Sequence, residues 1–281
     1  MVGASALMAV TSLLAKALGR GVGGLELHPL QVTAGRFWFA LAGLALVSVW
    51  LRPGMVGVPW GLHAARTLSG WLGVTCMFAA AARMPLAEAT AITFLSPLAT
   101  MALALPMLGE RMRPIRWLAA AIAMIGALLL IRPGAQAFEP AALVALAAAL
   151  FMGLEVIFIK QLSSREPPIR ILLINNAMGA LISGAAVPFV WIAPTPSQWA
   201  MLILLGLVMA CAQVLFIQAM RAAEAGHVAP VMYATLVFAA FYDLAVFGDL
   251  PDLLSQIGMV VILTGLLLLA SRPAASGEVA R

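Results

Sequence analysis

Long apolar runs separated by short polar connectors dominate the chain. Ten such runs can be counted, and each has about 20 residues, the length at which an α-helix crosses the hydrocarbon core of a bilayer. They cover residues 2–19, 29–51, 60–82, 86–107, 114–132, 139–162, 168–193, 197–221, 226–247 and 251–271. The pattern predicts an all-α polytopic membrane protein with ten transmembrane helices.

The composition excludes a soluble globular domain. Of the 281 residues, 64% are hydrophobic and 10% are charged, whereas soluble domains carry about 25% charged residues. The net charge of +5 comes largely from basic residues at the ends of the apolar runs, where such residues set topology. We therefore expect the lipid bilayer, and no nucleic acid, as a partner.

Motifs for cofactor or enzyme chemistry do not occur in the sequence. Residues 19–24 match G-x-G-x-x-G formally, but they follow an apolar helix instead of a strand, so a flexible turn is the better interpretation. There is no H-E-x-x-H, G-x-S-x-G or P-loop motif, and the three histidines are scattered. We predict no cofactor, no metal site and no enzymatic activity.

The second half of the chain repeats landmarks of the first at an offset of 138 to 140 residues. The matched residues are Pro29 with Pro168, Trp60 with Trp199, Arg83 with Arg221, Gly109-Glu110 with Gly248-Asp249, Gly126 with Gly265, and Arg132-Pro133 with Arg272-Pro273. We predict a first five-helix repeat at residues 1–134, a second at 135–273, and a polar cytoplasmic tail at 274–281.

An odd number of helices in each repeat makes the second repeat enter the membrane upside down. The loop after Gly109-Glu110 is basic, whereas the loop after Gly248-Asp249 contains Asp252 and no base. With both termini in the cytoplasm, ten of the sixteen Lys and Arg residues fall on the cytoplasmic side, four on the other side and two within helices. The ten are Arg52, Arg111, Arg113, Arg116, Lys160, Arg165, Arg170, Arg221, Arg272 and Arg281. Inverted repeats of this kind are a recurring plan of secondary transporters.

Three charged residues lie six or more residues from either end of a predicted helix. Glu155 is near the middle of the sixth helix, and its role is left open between structural pairing and a part in a transport pathway. Arg36, one-third of the way into the second helix, is interpreted as a structural arginine. Arg66 is about two turns inside the third helix, from which it could snorkel to the interface.

A polar face and a proline distinguish the fourth predicted helix. Thr90, Thr93 and Ser96 recur every three residues and so share one face, and Pro97 removes a backbone hydrogen bond near the bilayer centre. Such a break is tolerated where protein or a water-filled cavity satisfies the freed carbonyl. A packing kink is the alternative interpretation.

Four stretches together resemble a known transporter family. They are Arg36 in the second helix, MPLAEATAITFLSPL at 84–98, LGER at 108–111 and GALLLIRPG at 126–134. In these features the chain resembles the drug/metabolite transporter (DMT) superfamily, in its ten-helix EamA-type branch, and is similar to amino-acid exporters of the YddG kind. The second repeat matches less well, since Asp249 stands where Glu is usual.

The resemblance implies ten transmembrane helices, arranged as two inverted five-helix repeats around a central cavity lined by helices 1, 3, 4, 6, 8 and 9. Aromatic and Met side chains there give broad apolar contact, while hydroxyl and amide groups orient the polar groups of a substrate. The candidate substrate-binding residues are Met8, Thr11, Ser12, Trp71, Thr75, Phe78, Thr93, Ser96, Pro97, Met152, Glu155, Gln213 and Tyr233.

The expected function is that of a secondary transporter in a bacterial-type inner membrane, acting as a monomer on a small-molecule substrate. Export of amino acids or related small metabolites by alternating access is the first expectation. The alternatives are an importer of a larger metabolite, such as riboflavin or S-adenosylmethionine, and a channel-like facilitator.

Overall fold

The computed structural model describes residues 1–81, 92–110, 112–131, 140–247 and 253–270. These residues form ten α-helices of 13 or more residues and, among themselves, no strand. The helices are α1 (Val2–Gly19), α2 (Pro29–Leu51), α3 (Trp60–Ala81), α4 (Ser96–Leu108), α5 (Pro114–Ile131), α6 (Pro140–Ser163), α7 (Pro168–Ala186), α8 (Pro196–Ala222), α9 (Ala234–Phe247) and α10 (Leu253–Ala270). The chain is therefore all-α and polytopic, as the apolar runs predict.

Proline begins five of these helices, since its missing N–H costs nothing in the first turn and its fixed φ suits the helix. The start of α8 is also closed by a capping box, in which the Thr195 hydroxyl accepts from Gln198 N at 3.3 Å and the Gln198 side chain accepts from Thr195 N at 3.2 Å. The C-terminal end of α4 is at Gly109, whose φ of 68° is in the left-handed region. Local sequence signals thus fix the helix ends.

Six of the described helical segments are long and apolar enough to cross a bilayer. They are Val2–Gly19, Pro29–Leu51, Ala141–Ser163, Pro168–Phe189, Pro196–Ala222 and Ala225–Val246. Three further apolar helices, Ser96–Leu108, Pro114–Leu129 and Gln256–Leu268, are shorter. The remaining helix, α3, is more polar because it carries both His63 and Arg66.

The fourth and ninth predicted helices are both interrupted. Before α4 the chain turns at Phe94 and Leu95, so Pro97 lies in the first turn of α4 and not inside a longer helix. Before α9 a four-residue helix, Ala225–Val228, leads into a 3₁₀ segment, Ala229–Tyr233. Residues 82–91, which include Thr90, lie outside the described part of the chain.

The two interruptions meet each other inside the bundle. The Tyr233 hydroxyl donates to the carbonyl of Phe94 at 2.7 Å, and the two rings stack with centroids 6.1 Å apart. A carbonyl left free at a helix break has to be satisfied internally when no water is at hand, and the tyrosine does this. Tyr233 follows Phe94 by 139 residues, so the contact joins corresponding positions of the two predicted repeats.

Helix packing follows a two-fold pattern. When α1 to α5 are matched in order with α6 to α10, the pair α1–α8 corresponds to α6–α3, and the pair α1–α9 corresponds to α6–α4. All four pairs are in extensive contact. The contacting pairs α2–α7 and α5–α10 each consist of two matched helices, so exchanging the halves leaves each pair unchanged. This is the pairing that two related halves produce. The repeat boundaries at 134 and 273 lie outside the described residues and stay predictions.

The α5–α10 contact depends on two glycines. A Cβ atom at Gly126 would lie 2.6 Å from the carbonyl oxygen of Gly258, and one at Gly265 would lie 2.8 Å from that of Ala119. Gly258 and Ala119 are themselves 139 residues apart, so the contact is reciprocal. The glycines let the two backbones approach closely, which is how small residues promote association of helices in membranes.

Charged side chains from the loop after α4, from α5 and from α6 hold the connector between α8 and the Ala225–Val228 turn. The Glu110 carboxylate accepts from Ala225 N at 2.7 Å and from Gly226 N at 3.0 Å. Lys160 at the end of α6 donates to the carbonyls of Met220 and Ala223, and Arg116 pairs with Glu224. The glutamate of the G-E-R loop therefore joins the first half of the chain to the second.

We predict that Gly126→Ala lowers the free energy of unfolding by about 1–3 kcal/mol, because the added methyl group meets backbone atoms that cannot move aside cheaply. Gly61→Ala is the matched control: nothing lies within 4 Å of a Cβ at that helical position, so the variant should be neutral or gain up to about 1 kcal/mol from helix propensity. Denaturant unfolding of both variants in detergent micelles checks this. Equal effects at the two positions would contradict the close packing.

Candidate binding cavity

A cavity of about 410 Å³ opens among α1, α2, α3, α6, α7 and α8. Its size falls within the range of small-molecule sites, and most of its wall is apolar. The lining residues on α1, α2 and α3 are Met8, Leu30, Thr33, Arg36, Phe37, Arg66, Thr67, Gly70, Trp71, Val74 and Thr75. The remaining ones are Glu155, Val156, Ile159, Asn175, Gly179, Ile182, Ser183, Ala186, Met209, Gln213, Phe216, Ile217 and Met232.

The cavity lies where the two-fold packing is broken. In the pattern described above, the pair α2–α8 corresponds to the pair α7–α3. The first pair is closed, since a Cβ at Gly35 would be 2.7 Å from Leu202 and one at Gly206 would be 2.8 Å from Ala40 N. The second pair has few contacts, and residues of α3 and α7 face the cavity instead. One side of the bundle is thus packed while its counterpart is open.

Five of the predicted binding residues line this cavity: Met8, Trp71, Thr75, Glu155 and Gln213. They come from four different helices, and the fold brings them together around one space. Of the helices expected to line the cavity, α1, α3, α6 and α8 do so, and Met232 reaches it from the predicted ninth helix. Residues of α2 and α7 take the place that was expected for helix 4.

The hydroxyl residues predicted on the first helix lie outside the cavity wall. The Thr11 hydroxyl donates to the carbonyl of Met8 at 2.7 Å, and the Ser12 hydroxyl donates to the same carbonyl at 3.2 Å. Ser12 is exposed on the outer surface of the bundle. Each of these hydroxyls thus donates to a carbonyl of its own helix, as Ser and Thr often do in apolar surroundings.

The predicted residues around the fourth helix also lie elsewhere. Thr93, Ser96 and Pro97 are at the break before α4 and in its first turn, where α4 packs on α6 around Gly153. Tyr233 is fully buried and holds the Phe94 carbonyl. Met152 packs against α3, because a Cβ at Gly73 would be 2.9 Å from its Cγ. The Phe78 side chain lies outside the described part of the structure.

Six polar residues of the wall were not predicted from the sequence: Thr33, Arg36, Arg66, Thr67, Asn175 and Ser183. Arg66 has 2% of its surface exposed, so it points into the protein and does not snorkel. The signal that could have found both arginines is Glu155, because a carboxylate deep in a membrane needs a cation on a facing helix. No comparable signal points to Asn175, because the apolar pattern of α7 does not indicate which of its faces is turned to the cavity.

Arg66 and Glu155 form the charged centre of the cavity. Arg66 Nε lies 3.9 Å from Glu155 Oε1, close enough for an ion pair but too far for a hydrogen bond. Arg66 Nε and Nη1 are buried without any hydrogen-bond partner. Gly70 makes room for the carboxylate, since a Cβ there would lie 2.8 Å from Glu155 Cδ. Arg36 lines the same space, with its Cζ 4.4 Å from the centre of the Phe37 ring.

A second buried polar cluster, formed by His63, Glu166 and Arg170, lies one turn before Arg66 along α3. His63 Nε2 lies 2.8 Å from Glu166 Oε2, and Arg170 donates to Glu166 Oε1 at 3.3 Å. His63 and Glu166 are 1% and 4% exposed, respectively. The cluster ties the start of α3 to the connector between α6 and α7. Within the described ranges, no three His, Cys, Asp or Glu side chains converge in a way that could hold a metal ion.

Comparison with known proteins places this architecture among transporters. A sequence profile of the EamA-like transporter family matches residues 1–132 and again residues 139–271. The chain is 28% identical to an S-adenosylmethionine uptake transporter of Rickettsia bellii (strain RML369-C) over 85% of this chain and 83% of the relative. It is 29% identical to the pseudopaline exporter CntI of Pseudomonas aeruginosa (strain UCBPP-PA14), over 83% and 84% of the two chains.

Two further matches extend the comparison. A riboflavin transporter of Rhizobium johnstonii (strain DSM 114642 / LMG 32736 / 3841) is 29% identical over 85% of this chain and 92% of the relative. A solved crystal structure superposes with a TM-score of 0.76 at 21% identity, over 95% of this chain and 94% of the other. That structural likeness concerns the fold alone.

We predict that Arg66 and Glu155 stabilise the fold only as a pair. Arg66→Met should lower the free energy of unfolding by about 2 kcal/mol, because it removes the cation that pairs with Glu155. The double variant Arg66→Met/Glu155→Gln should cost less than the sum of the two single variants, because it removes both members of the pair. A double-mutant cycle measured by denaturant unfolding in micelles gives the coupling. Strictly additive effects would show that the two groups do not interact.

Proposed function

The chain belongs to the EamA-like transporter family of the DMT superfamily, and we propose that it exports amino acids or related small metabolites by alternating access. The observation that carries this proposal is the cavity inside a bundle of apolar helices, with apolar walls and a charged centre of both signs. A zwitterion with an apolar side chain matches such a space in size and in chemistry. The names of the family and of the relatives point to transport and not to enzymatic chemistry.

The broken two-fold packing favours alternating access. The pair α2–α8 is packed and its counterpart α7–α3 is open, so the two halves hold different arrangements of the same contact. If the halves exchange these arrangements, the open pair closes and the closed pair opens. The cavity then faces the other side of the membrane, as in other inverted-repeat transporters.

One relative is named for uptake and another for export, so the family accommodates both. Export of amino acids follows from the sequence resemblance to exporters of the YddG kind. Import of a larger metabolite is the second candidate, supported by the names of the S-adenosylmethionine and riboflavin relatives. The amino-acid end of S-adenosylmethionine would make the same polar contacts.

The orientation of the chain in the membrane decides which way the cavity faces. The protein is a multi-pass membrane protein, and we place it as a monomer in a bacterial-type inner membrane with both termini in the cytoplasm. In that orientation the cavity extends towards the outer ends of α2 and α7, where Leu30 and Ala186 lie. The Glu110 and Lys160 contacts then hold the cytoplasmic end. A conformation of this kind would release an exported substrate.

We expect saturable counterflow of labelled amino acids in proteoliposomes that contain the purified protein and are preloaded with unlabelled substrate. Thr75→Trp should reduce the flux at least about tenfold, equivalent to about 1.4 kcal/mol, because the indole fills the cavity. Leu46→Trp is the control, since Leu46 is 68% exposed on the outside of the bundle and does not line the cavity. Flux that rises linearly with concentration would favour a channel-like facilitator.

Glu155→Gln should lower the flux and change its dependence on pH, because Glu155 is the only carboxylate among the described cavity residues and can hold a substrate ammonium or a proton. Initial rates across a pH series, compared between the variant and the unmodified protein, measure this. Identical rates and pH profiles would remove Glu155 from the pathway and leave it a structural role.

A further inference from the structure

We infer that the arginine side of the cavity, formed by Arg66 with Arg36, is the binding site for an organic carboxylate. This inference rests on the proposed function, because it names the chemical class of the substrate that would be transported. It is carried by unpaired donors, by the charge balance of the cavity and by the nature of its walls.

Unpaired donors on Arg66 are the first observation. The side chain is 2% exposed, and its Nε and Nη1 atoms have no hydrogen-bond partner. A buried donor without a partner costs about 1–3 kcal/mol, so folded proteins seldom keep two on one side chain without a use for them. A guanidinium presents its N–H groups as a planar fork that fits both oxygens of a carboxylate.

The position of Glu155 explains why it does not already fill this role. Its nearest oxygen is 3.9 Å from Arg66 Nε, beyond hydrogen-bond distance, and 29% of its side chain remains exposed to the cavity. Glu155 is kept in place against Gly70 of α3. The arginine therefore has a neighbouring negative charge but retains free donors for a second acceptor.

Charge balance points in the same direction. Among the residues that line the cavity, Arg36 and Arg66 carry two positive charges and Glu155 carries one negative charge. An uncompensated cation away from water is costly, and a bound carboxylate group would supply the second negative charge that the two arginines lack. A cationic substrate without a carboxylate would add to the imbalance.

The walls select an organic anion over a small inorganic one. Phe37, Trp71 and Val74 lie beside the arginines and offer apolar surface to the rest of a ligand. The side-chain oxygen of Gln213 is buried without a partner in the same cavity, so it provides an acceptor for an N–H group. A molecule with a carboxylate, an N–H donor and an apolar body fits all three features.

Matched ligands test the inference on the unmodified protein. We propose measuring the thermal unfolding of the purified protein in detergent with L-phenylalanine, with N-acetyl-L-phenylalanine and with L-phenylalaninamide, and repeating the set for methionine and leucine. Ligands that bind the native state raise the unfolding temperature. The two carboxylates of each set should stabilise the protein, and the amide should require at least about tenfold higher concentration for the same shift.

Variants connect this preference to the arginine. Arg66→Met/Glu155→Gln removes the free donors of Arg66 together with its neighbouring carboxylate and leaves Arg36 in the cavity, so it should narrow the preference for the carboxylate over the amide. Arg165→Gln is the matched control, because Arg165 is exposed on the connector between α6 and α7, outside the cavity. It should keep the full preference for the carboxylate.

The outcomes separate this inference from the transport proposal. Carboxylates that bind but are not transported in proteoliposomes would leave the site standing and remove the proposed function. Transport of the amide as fast as the amino acid would leave the function standing and overturn the site. Stabilisation by inorganic phosphate alone, no binding of any carboxylate in the panel, or an unchanged preference in the double variant would each overturn the site as well.

Discussion

Every backbone polar group within the hydrocarbon core must find its partner inside the protein, and this constraint shapes the whole bundle. Continuous helices meet it without help. The chain departs from regular helix before α4 and before α9, and there the Tyr233 hydroxyl supplies the partner for the Phe94 carbonyl. Because the breaks are joined to each other, they stabilise the contact between the two halves, and among their described residues only Met232 lines the cavity.

The order of the apolar helices could be predicted from the sequence, because an apolar run of bilayer length has few other solutions. The breaks before α4 and α9 shorten the fourth and ninth predicted helices. The cavity wall could be predicted only in part. Met8, Trp71, Thr75, Glu155 and Gln213 were found because polar or bulky side chains in apolar runs stand out. Arg36 and Arg66 were placed elsewhere, because the orientation of a long side chain depends on which helices it packs against, and no spacing along the chain encodes that. Tyr233 was nominated for the cavity but is used to satisfy a carbonyl.

Symmetric and asymmetric helix contacts have different roles in the bundle. The glycine contact between α5 and α10 is reciprocal and packs backbone against backbone, so it suits a fixed connection between the halves. The pair α2–α8 is packed, whereas the corresponding pair α7–α3 is open. These contacts therefore suit a movable connection between the halves. The charged centre lies beside the open pair, where a change of packing would alter its access to water.

The long separation along the chain between the charges of α3 and their partners has a consequence for biogenesis. His63 meets Glu166, which is made 103 residues later. At a synthesis rate of about 5–20 residues per second, His63 is made roughly 5–20 s before the carboxylate that it contacts. During that interval the polar face of α3 needs shelter at the insertion machinery or at the headgroup boundary. Membrane integration of α3 is therefore coupled to translation of the second half of the protein.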